Sequence, residues 1–193
     1  SQGGGVGVHR ADSAFIMNGG TISGNKADQG NGGGVYMDDK GVHMDGATFT
    51  MNYSASVTGN TAKNGGGVYV ESGTFKMNDG TIGGATAADA NTATNNGGGV
   101  YVNKSGTFEM NGSASVKVNT ADTYGGGVFV NGGTFNMNDG EISGNTAPNG
   151  GGGVYVSSGT FTMSDGMRVP ISRRKAKEVM EAYSSFRFDR LRK

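Results

Sequence analysis

Two aspartates are placed where a carboxylate pair could form. Asp139 and Asp165 each occupy the middle of a turn, in Asn-Asp-Gly and Ser-Asp-Gly, one repeat apart. If neighbouring repeats stack as β-strands ~4.8 Å apart, the two carboxylates reach the ~5 Å separation of a retaining glycosidase. Aspartate is also an ordinary turn residue that hydrogen-bonds its own backbone. We therefore interpret both as turn formers and predict no catalytic residue.

Metal and cofactor chemistry has little support in the sequence. Asp38, Asp39 and Asp45 form an acidic loop whose oxygens suit Ca²⁺, but a solvated loop is the better interpretation. The two histidines, His9 and His43, lie one repeat apart without neighbours at ligand spacing, which indicates surface positions. The chain has no cysteine, and its Gly-Gly-Gly runs continue with Val instead of the Lys-Ser/Thr of a phosphate loop. We predict no metal and no cofactor.

The elements that would position such residues are repeats. One phrase reads GGGVYV at 65–70, 97–102 and 151–156, and a second reads GTFxM, with a third of the type TISGN. The valine after the glycines and the phenylalanine of the second phrase mark six units, the last without its third phrase. These markers are Val6, Val35, Val68, Val100, Val128 and Val154, and Phe15, Phe49, Phe75, Phe108, Phe135 and Phe161.

Each phrase alternates along the chain as a short strand does. Three strands per unit predict an all-β fold, a parallel β-helix of about six coils over residues 1–166. In the second phrase, the residue between Phe and Met varies from Lys76 to Glu109, so that position faces water. Phe and Met therefore face the core. Recurring asparagines at the phrase ends predict hydrogen-bonded ladders between coils.

The same parity places an aromatic residue on the outer side of the first phrase. The residues are Tyr36, Tyr69, Tyr101, Phe129 and Tyr155. We expect an exposed column of rings, and exposed apolar stripes commonly mark contact surfaces. The column could stack on sugar rings, pack on a protein partner or be covered by the tail. Plain stabilisation by cross-strand ring stacking is the alternative.

The phrases GGGVYV, GTFxMN and xISGNTA resemble repeats of right-handed parallel β-helix proteins of the bacterial cell surface, the pectin-lyase-like superfamily in a broad sense. The resemblance covers about residues 3–166 and implies an extracellular or cell-surface protein. This scaffold carries adhesins, autotransporter passengers, tail-spikes and polysaccharide lyases. The lyases combine an acidic Ca²⁺ site with a catalytic Arg or Lys, and Arg10 is the single arginine of the repeats. The resemblance therefore does not carry enzyme activity over.

Residues 167–193 break the pattern. They hold 9 Lys/Arg and 3 Asp/Glu, a balance of +6, against 7 and 13 in residues 1–166, a balance of −6. Pro170 and Ser172 favour the start of an amphipathic α-helix. We predict a basic tail with one of three origins: a cap on the coil end, a segment that binds an anionic lipid, nucleic acid or protein, or a segment foreign to the repeats. Its opposite charge would also let it dock on the side of the repeat body. The basic residues assigned to such contacts are Arg173, Arg174, Lys175, Lys177, Arg187 and Arg190.

These observations favour a non-enzymatic, adhesin-type surface protein whose rigid side face binds glycan or protein partners. The alternatives are a fragment of a polysaccharide-active lyase or hydrolase, and a scaffold whose cationic tail binds membrane or nucleic acid. No apolar run is long enough to span a bilayer. The start SQGGGVGVHR has no signal segment, so we expect a fragment without its signal peptide. Self-association, N-terminal or end to end, is a further expectation.

Overall fold

The computed structural model describes residues 3–10, 12–38 and 46–164, and the tail and the acidic loop 39–45 lie outside these ranges. The described chain is built from short strands. They are β1 Val6–His9, β2 Ala14–Met17, β3 Thr21–Ser23, β4 Lys26–Asn31, β5 Val35–Asp38, β6 Thr48–Met51, β7 Ser56–Thr58, β8 Thr61–Asn64, β9 Val68–Met77, β10 Thr81–Gly83, β11 Thr92–Ala93, β12 Val100–Met110, β13 Ser115–Lys117, β14 Thr120–Ala121, β15 Val128–Met137, β16 Glu141–Ser143 and β17 Val154–Met163. A single 3-10 turn, Ala87–Asp89, is the only helical element in the described ranges.

The strands form three parallel sheets that wind as a solenoid. The first sheet follows the order β1-β5-β9-β12-β15-β17, with β2 and β6 beside it; the second is β3-β7-β10-β13-β16, and the third is β4-β8-β11-β14. Equivalent residues pair between coils, as in Val100 with Val128 and Phe108 with Phe135. The predicted all-β parallel solenoid is confirmed. It has about five turns, because the sixth unit contributes only β17 to the described chain.

The three sheets do not correspond one to one with the three phrases. The first two phrases run through a single sheet, and in β9, β12, β15 and β17 they form one strand of 10 or 11 residues. Irregular pairing at their junction bends this strand, for example between Val102 and Ser105. The third sheet comes from Thr-Ala segments after the third phrase, such as Thr61–Asn64. The sequence alone indicates connections there, because β8, β11 and β14 have only two to four residues and carry too little alternation to register as strands.

Side-chain parity is as predicted. Val68, Val70, Phe75 and Met77 on β9 are all fully buried in one core cluster that runs the length of the solenoid. The inner phenylalanines stack between coils with ring centroids 4.7–5.0 Å apart. Burying a Phe or Met side chain contributes roughly 1.5–3 kcal/mol, so this column supplies much of the stability of each coil.

The predicted asparagine ladders are present. At the corner between the second and third sheets, the amide Nδ2 atoms of Asn25, Asn60, Asn91 and Asn119 donate at 2.9–3.0 Å to the Oδ1 atom of the next asparagine, ending at Asn145. Asn60, Asn91 and Asn119 are fully buried, and these bonds satisfy their amides. Asn91 was missed in the sequence because the inserted residues 84–90 separate it from its phrase.

Glycine has a steric function at the corner that leads into the first sheet. A Cβ on Gly66 would lie 2.5 Å from the carbonyl oxygen of Thr92 and 2.6 Å from that of Gly98. Both atoms belong to the backbone of the next coil, so neither can move aside without separating the coils. The repeated Gly-Gly-Gly therefore sets how closely successive coils pack.

Candidate functional site

The outer aromatic column lies on the first sheet with its rings directed away from the core. Tyr36, Tyr69, Tyr101 and Phe129 form a cluster of their own, against which Tyr155 packs half-buried. The prediction that these rings are exposed is wrong: the four are only 2–8% exposed. They lie outside the solenoid interior, yet solvent barely reaches them.

Ring stacking is the physical reason for this burial. Consecutive rings of the column stack with centroids 4.7–5.5 Å apart and interplanar angles of 3–30°, so each inner ring has a neighbour on both faces. The turns between the third and first sheets cover the ring bases; a Cβ on Gly97, for instance, would lie 3.0 Å from the Cβ of Tyr101. A sugar cannot stack on a ring face that is already covered. A binding role for this column stays a prediction and is restricted to ring edges and hydroxyls.

A polar column runs beside the rings. Asn103 Nδ2 donates to the Glu71 carboxylate at 3.0 Å, and Asn131 Nδ2 donates to Asn103 Oδ1 at 3.2 Å. Burial raises the pKa of Tyr69, and the negative charge of Glu71 raises it further. The same two influences, burial first and then the charges of Asp38 and Glu71, raise the pKa of Tyr36 to about 12. The hydroxyls of both tyrosines therefore stay protonated beyond the pH of 10.0 at which an ordinary tyrosine ionises.

The other residues singled out in the sequence are dispersed. His9 is exposed, and its ring tilts over Tyr36 at 5.7 Å, where the first coil has Gly7 in place of an aromatic residue. Asp139 accepts a hydrogen bond from the Gly140 amide at 2.8 Å, as expected of a turn former. The described residues contain no group of three or more acidic or histidine side chains that could hold a metal.

Several predicted residues cannot be placed. His43, Asp39, Asp45 and Asp165 lie outside the described residues, as does the basic tail with its predicted helix. The glycosidase-like pair and the acidic Ca²⁺ loop therefore remain without a geometry. Among the described residues, no helix is long and apolar enough to cross a membrane.

The second half of the first sheet presents a polar face to solvent. Its outward positions carry a threonine column and, two residues further along, a mixed column in which Lys76 Nζ lies 3.9 Å from Glu109 Oε2. The threonines are Thr48, Thr74, Thr107, Thr134 and Thr160. A second asparagine ladder borders this face, formed by Asn18, Asn52, Asn78, Asn111 and Asn138 with amide contacts of 2.8–3.3 Å. Solvent reaches this ladder, unlike the buried one.

The turns that follow this exposed ladder carry one conspicuous side chain. The residue directly after each ladder asparagine is Gly19, Tyr53, Asp79, Gly112 or Asp139. Tyr53 has a φ of 54° and is 69% exposed, the highest exposure of any large apolar residue in the described ranges. Sequence reasoning did not single it out. The sequence does contain a signal for it: the turn Met-Asn-Tyr-Ser at 51–54 has tyrosine where the equivalent turn Met-Asn-Gly-Ser at 110–113 has glycine.

A third exposed feature is the inserted loop of the third coil. Thr86 and Asp89 form a reciprocal capping box around the 3-10 turn, with the Asp89 carboxylate accepting from the Thr86 amide and hydroxyl at 3.0 and 2.9 Å. These bonds hold the pKa of Asp89 below its usual range. The Asp89 carbonyl accepts from the Gly59 amide at 2.9 Å, so the loop is anchored on the preceding coil.

Comparison with known proteins gives one match. Residues 139–157, which contain β16 and the start of β17, match the family model described as the Chlamydia polymorphic membrane protein (Chlamydia_PMP) repeat. No curated relative and no solved structure matches the chain.

Proposed function

We propose that this chain, a parallel β-helix repeat protein with a repeat of the Chlamydia polymorphic membrane protein type, is a non-enzymatic adhesive protein of the bacterial surface. In this proposal the solenoid is a rigid body, and its repeated side face binds partners outside the cell. The repeat match supports the surface location. The geometry of the coils supports the mode of binding.

One observation carries the proposal: the same outward residue types recur in register from coil to coil. The exposed asparagine ladder and the threonine column run along the same face of the first sheet, on either side of the mixed column, with one member of each in every coil from Thr48 to Asn138. Hydrogen-bonded strands of successive coils lie ~4.8 Å apart. A partner with its own repeat can therefore make the same weak contact several times, and contacts linked in this way reinforce one another.

Rigidity makes this arrangement effective. Two ladders of amides and two stacks of aromatic rings connect successive coils, and the core between the sheets is filled by fully buried Phe, Met and Val side chains. The outward columns are thus fixed before a partner arrives. Preorganised contacts lose little conformational entropy on binding, which raises the affinity that many weak contacts can reach.

The test is a binding screen of the full chain combined with an activity assay. Immobilised protein is probed with a glycan array and with a panel of extracellular-matrix proteins, while a reducing-sugar assay follows the same polysaccharides in solution. The proposal expects retention of at least one ligand class without turnover. Release of reducing ends would establish the polysaccharide-active alternative, and a chain that retains none of the probes is not an adhesin of this kind.

A repeat of the screen without residues 167–193 separates the body from the basic tail. If the side face binds, retention survives the truncation and depends weakly on salt. Binding that disappears with the tail, or that is abolished by 0.5 M salt, assigns the activity to the cationic segment instead.

A further inference from the structure

We propose that Tyr53 is the aromatic anchor of a binding site for a neutral glycan, whose hydroxyls bond the exposed asparagine ladder beside it. The inference rests on the proposed adhesive function and assigns that function a ligand class and a position. It moves the recognition site from the outer aromatic column, whose ring faces are covered, to the corner between the first and second sheets.

The backbone of Tyr53 is strained. Tyr53 occupies the left-handed region with a φ of 54°, and Gly112 has a φ of 55° at the equivalent position two coils later. Both turns close with the same hydrogen bond, from the Ala55 amide to Asn52 and from the Ala114 amide to Asn111. Glycine adopts this conformation without cost, whereas a bulky side chain does not. The turn therefore favours glycine, and its left-handed backbone disfavours the tyrosine that occupies it.

No stacked ring and no side-chain hydrogen bond among the described residues compensates for that strain. The ring is 69% exposed, and the ring contacts and side-chain hydrogen bonds of the described chain do not involve it. Strained residues concentrate at functional sites because a gain elsewhere maintains them. For an exposed tyrosine, that gain is contact with a partner, since tyrosine is among the residues most enriched at binding hot spots.

The surroundings leave the ring accessible. Gly19 holds the equivalent position in the preceding coil and has no side chain to cover it. In the following coil, the Asp79 carboxylate accepts from its own Gly80 amide at 2.8 Å. The ring thus projects beyond its neighbours in the turn series, and a flat ligand can lie against it.

The exposed ladder supplies polar groups in the quantity that a sugar chain requires. Each inner asparagine uses one Nδ2 hydrogen and one Oδ1 lone pair for its neighbours, as Asn52 does towards Asn18 and Asn78. An amide has two donors and two acceptor sites. One donor and one acceptor per coil therefore remain for a ligand, spaced ~4.8 Å apart.

Their chemistry favours a neutral glycan. An aromatic face attracts the weakly positive C–H groups of a sugar ring, and alternating amide donors and acceptors match its hydroxyls. The one charge in the adjacent turn is the Asp79 carboxylate, which repels an anionic ligand, and the Lys76–Glu109 pair on the neighbouring face is of opposite sign and adds no net charge. A glycan lying along the axis repeats its hydroxyls as the ladder repeats its amides.

The experiment compares two strain-relieving variants of the full chain. Tyr53→Gly removes the ring and gives the turn its preferred residue, so the urea midpoint stays the same or rises. Val118→Gly relieves a left-handed residue at another corner, where φ is 56°, and leaves the ring in place. Binding of neutral gluco-, manno- and galacto-oligosaccharides of four to six units is measured by calorimetry, with oligogalacturonate as the anionic probe.

The proposal expects Tyr53→Gly to lose at least about thirtyfold in affinity for the neutral oligosaccharide that binds wild type, which is a loss of hot-spot size. Val118→Gly should bind as wild type does. Equal affinity in Tyr53→Gly, preference for the anionic probe, or retention of proteins only would overturn it. Each of these three outcomes leaves the adhesive function standing, because the wild-type chain still binds a partner. Only a wild-type chain that retains no probe refutes both proposals.

Discussion

Val118 offers the sharpest test of the structural reasoning. At the corner that closes the third phrase, Gly24, Gly59 and Gly144 have φ values of 64–66°, and Val118 takes the same conformation with a φ of 56°. A β-branched residue is a genuine outlier there. We expect Val118→Gly to be more stable than Val118→Ala, which reverses the usual order of these two residues.

The magnitude follows from three contributions. The left-handed conformation costs a residue with a Cβ about 1–2 kcal/mol, and alanine keeps most of that cost. Glycine avoids it but gives the unfolded chain more freedom, which costs about 0.5–1 kcal/mol. Both variants lose the same half-buried Val118 side chain. Glycine should therefore exceed alanine by about 0.5–1 kcal/mol in free energy of unfolding.

Urea unfolding of the two variants, followed by circular dichroism and compared at constant m-value, measures this difference. The matched control is Thr61, a half-buried outward residue at the start of β8 with no left-handed backbone. There, Thr61→Gly should be less stable than Thr61→Ala by about 0.5–1 kcal/mol. If glycine is also the less stable of the two at position 118, the reasoning from left-handed strain is refuted, and its use for Tyr53 is refuted with it.

The remaining predictions concern the buried ladder, the core and the outer column. Asn91→Ala should lower the free energy of unfolding by about 2–4 kcal/mol, because it removes the acceptor of two buried Asn60 donors. Asn78→Ala in the exposed ladder should lower it by under about 1 kcal/mol. Urea unfolding measures both, and equal losses would contradict the burial of the first ladder. In the same urea assay, Phe75→Ala should lose about 3–5 kcal/mol of the free energy of unfolding, and Lys76→Ala at the outward neighbouring position should lose under about 0.5 kcal/mol. A similar loss at both positions would mean that the assignment of inward and outward side chains is wrong. The folded pKa of Tyr36 is about 12 against an ordinary value of 10.0, so its contribution to stability is complete below pH 10 and is lost as the pH rises to 12. Stability measured at steps across that window should fall, and Tyr36→Phe should make the fall shallower; an unchanged slope would contradict the burial of its hydroxyl.

The sequence by itself determined the repeat, the strand parity and the identity of the core. Alternation fixes which side of a strand each residue occupies, so Phe75 and Met77 are assigned inward once Lys76 is seen between them. The ladder of recurring asparagines followed in the same way, because stacked identical residues face one another. These properties are local, and each of them recurs in several repeats of the sequence.

Tertiary structure decided everything that depends on how coils cover one another. Parity directed Tyr69 outward, but only the stacking distance to the next coil shows that its faces are closed. Asn91 enters the buried ladder because the 3-10 loop folds aside and returns the chain to its place, which phrase spacing does not reveal. Tyr53 could be proposed as a site only from the tertiary structure for the same reason: left-handed backbone and an uncovered ring exist only once neighbouring coils have fixed the turn.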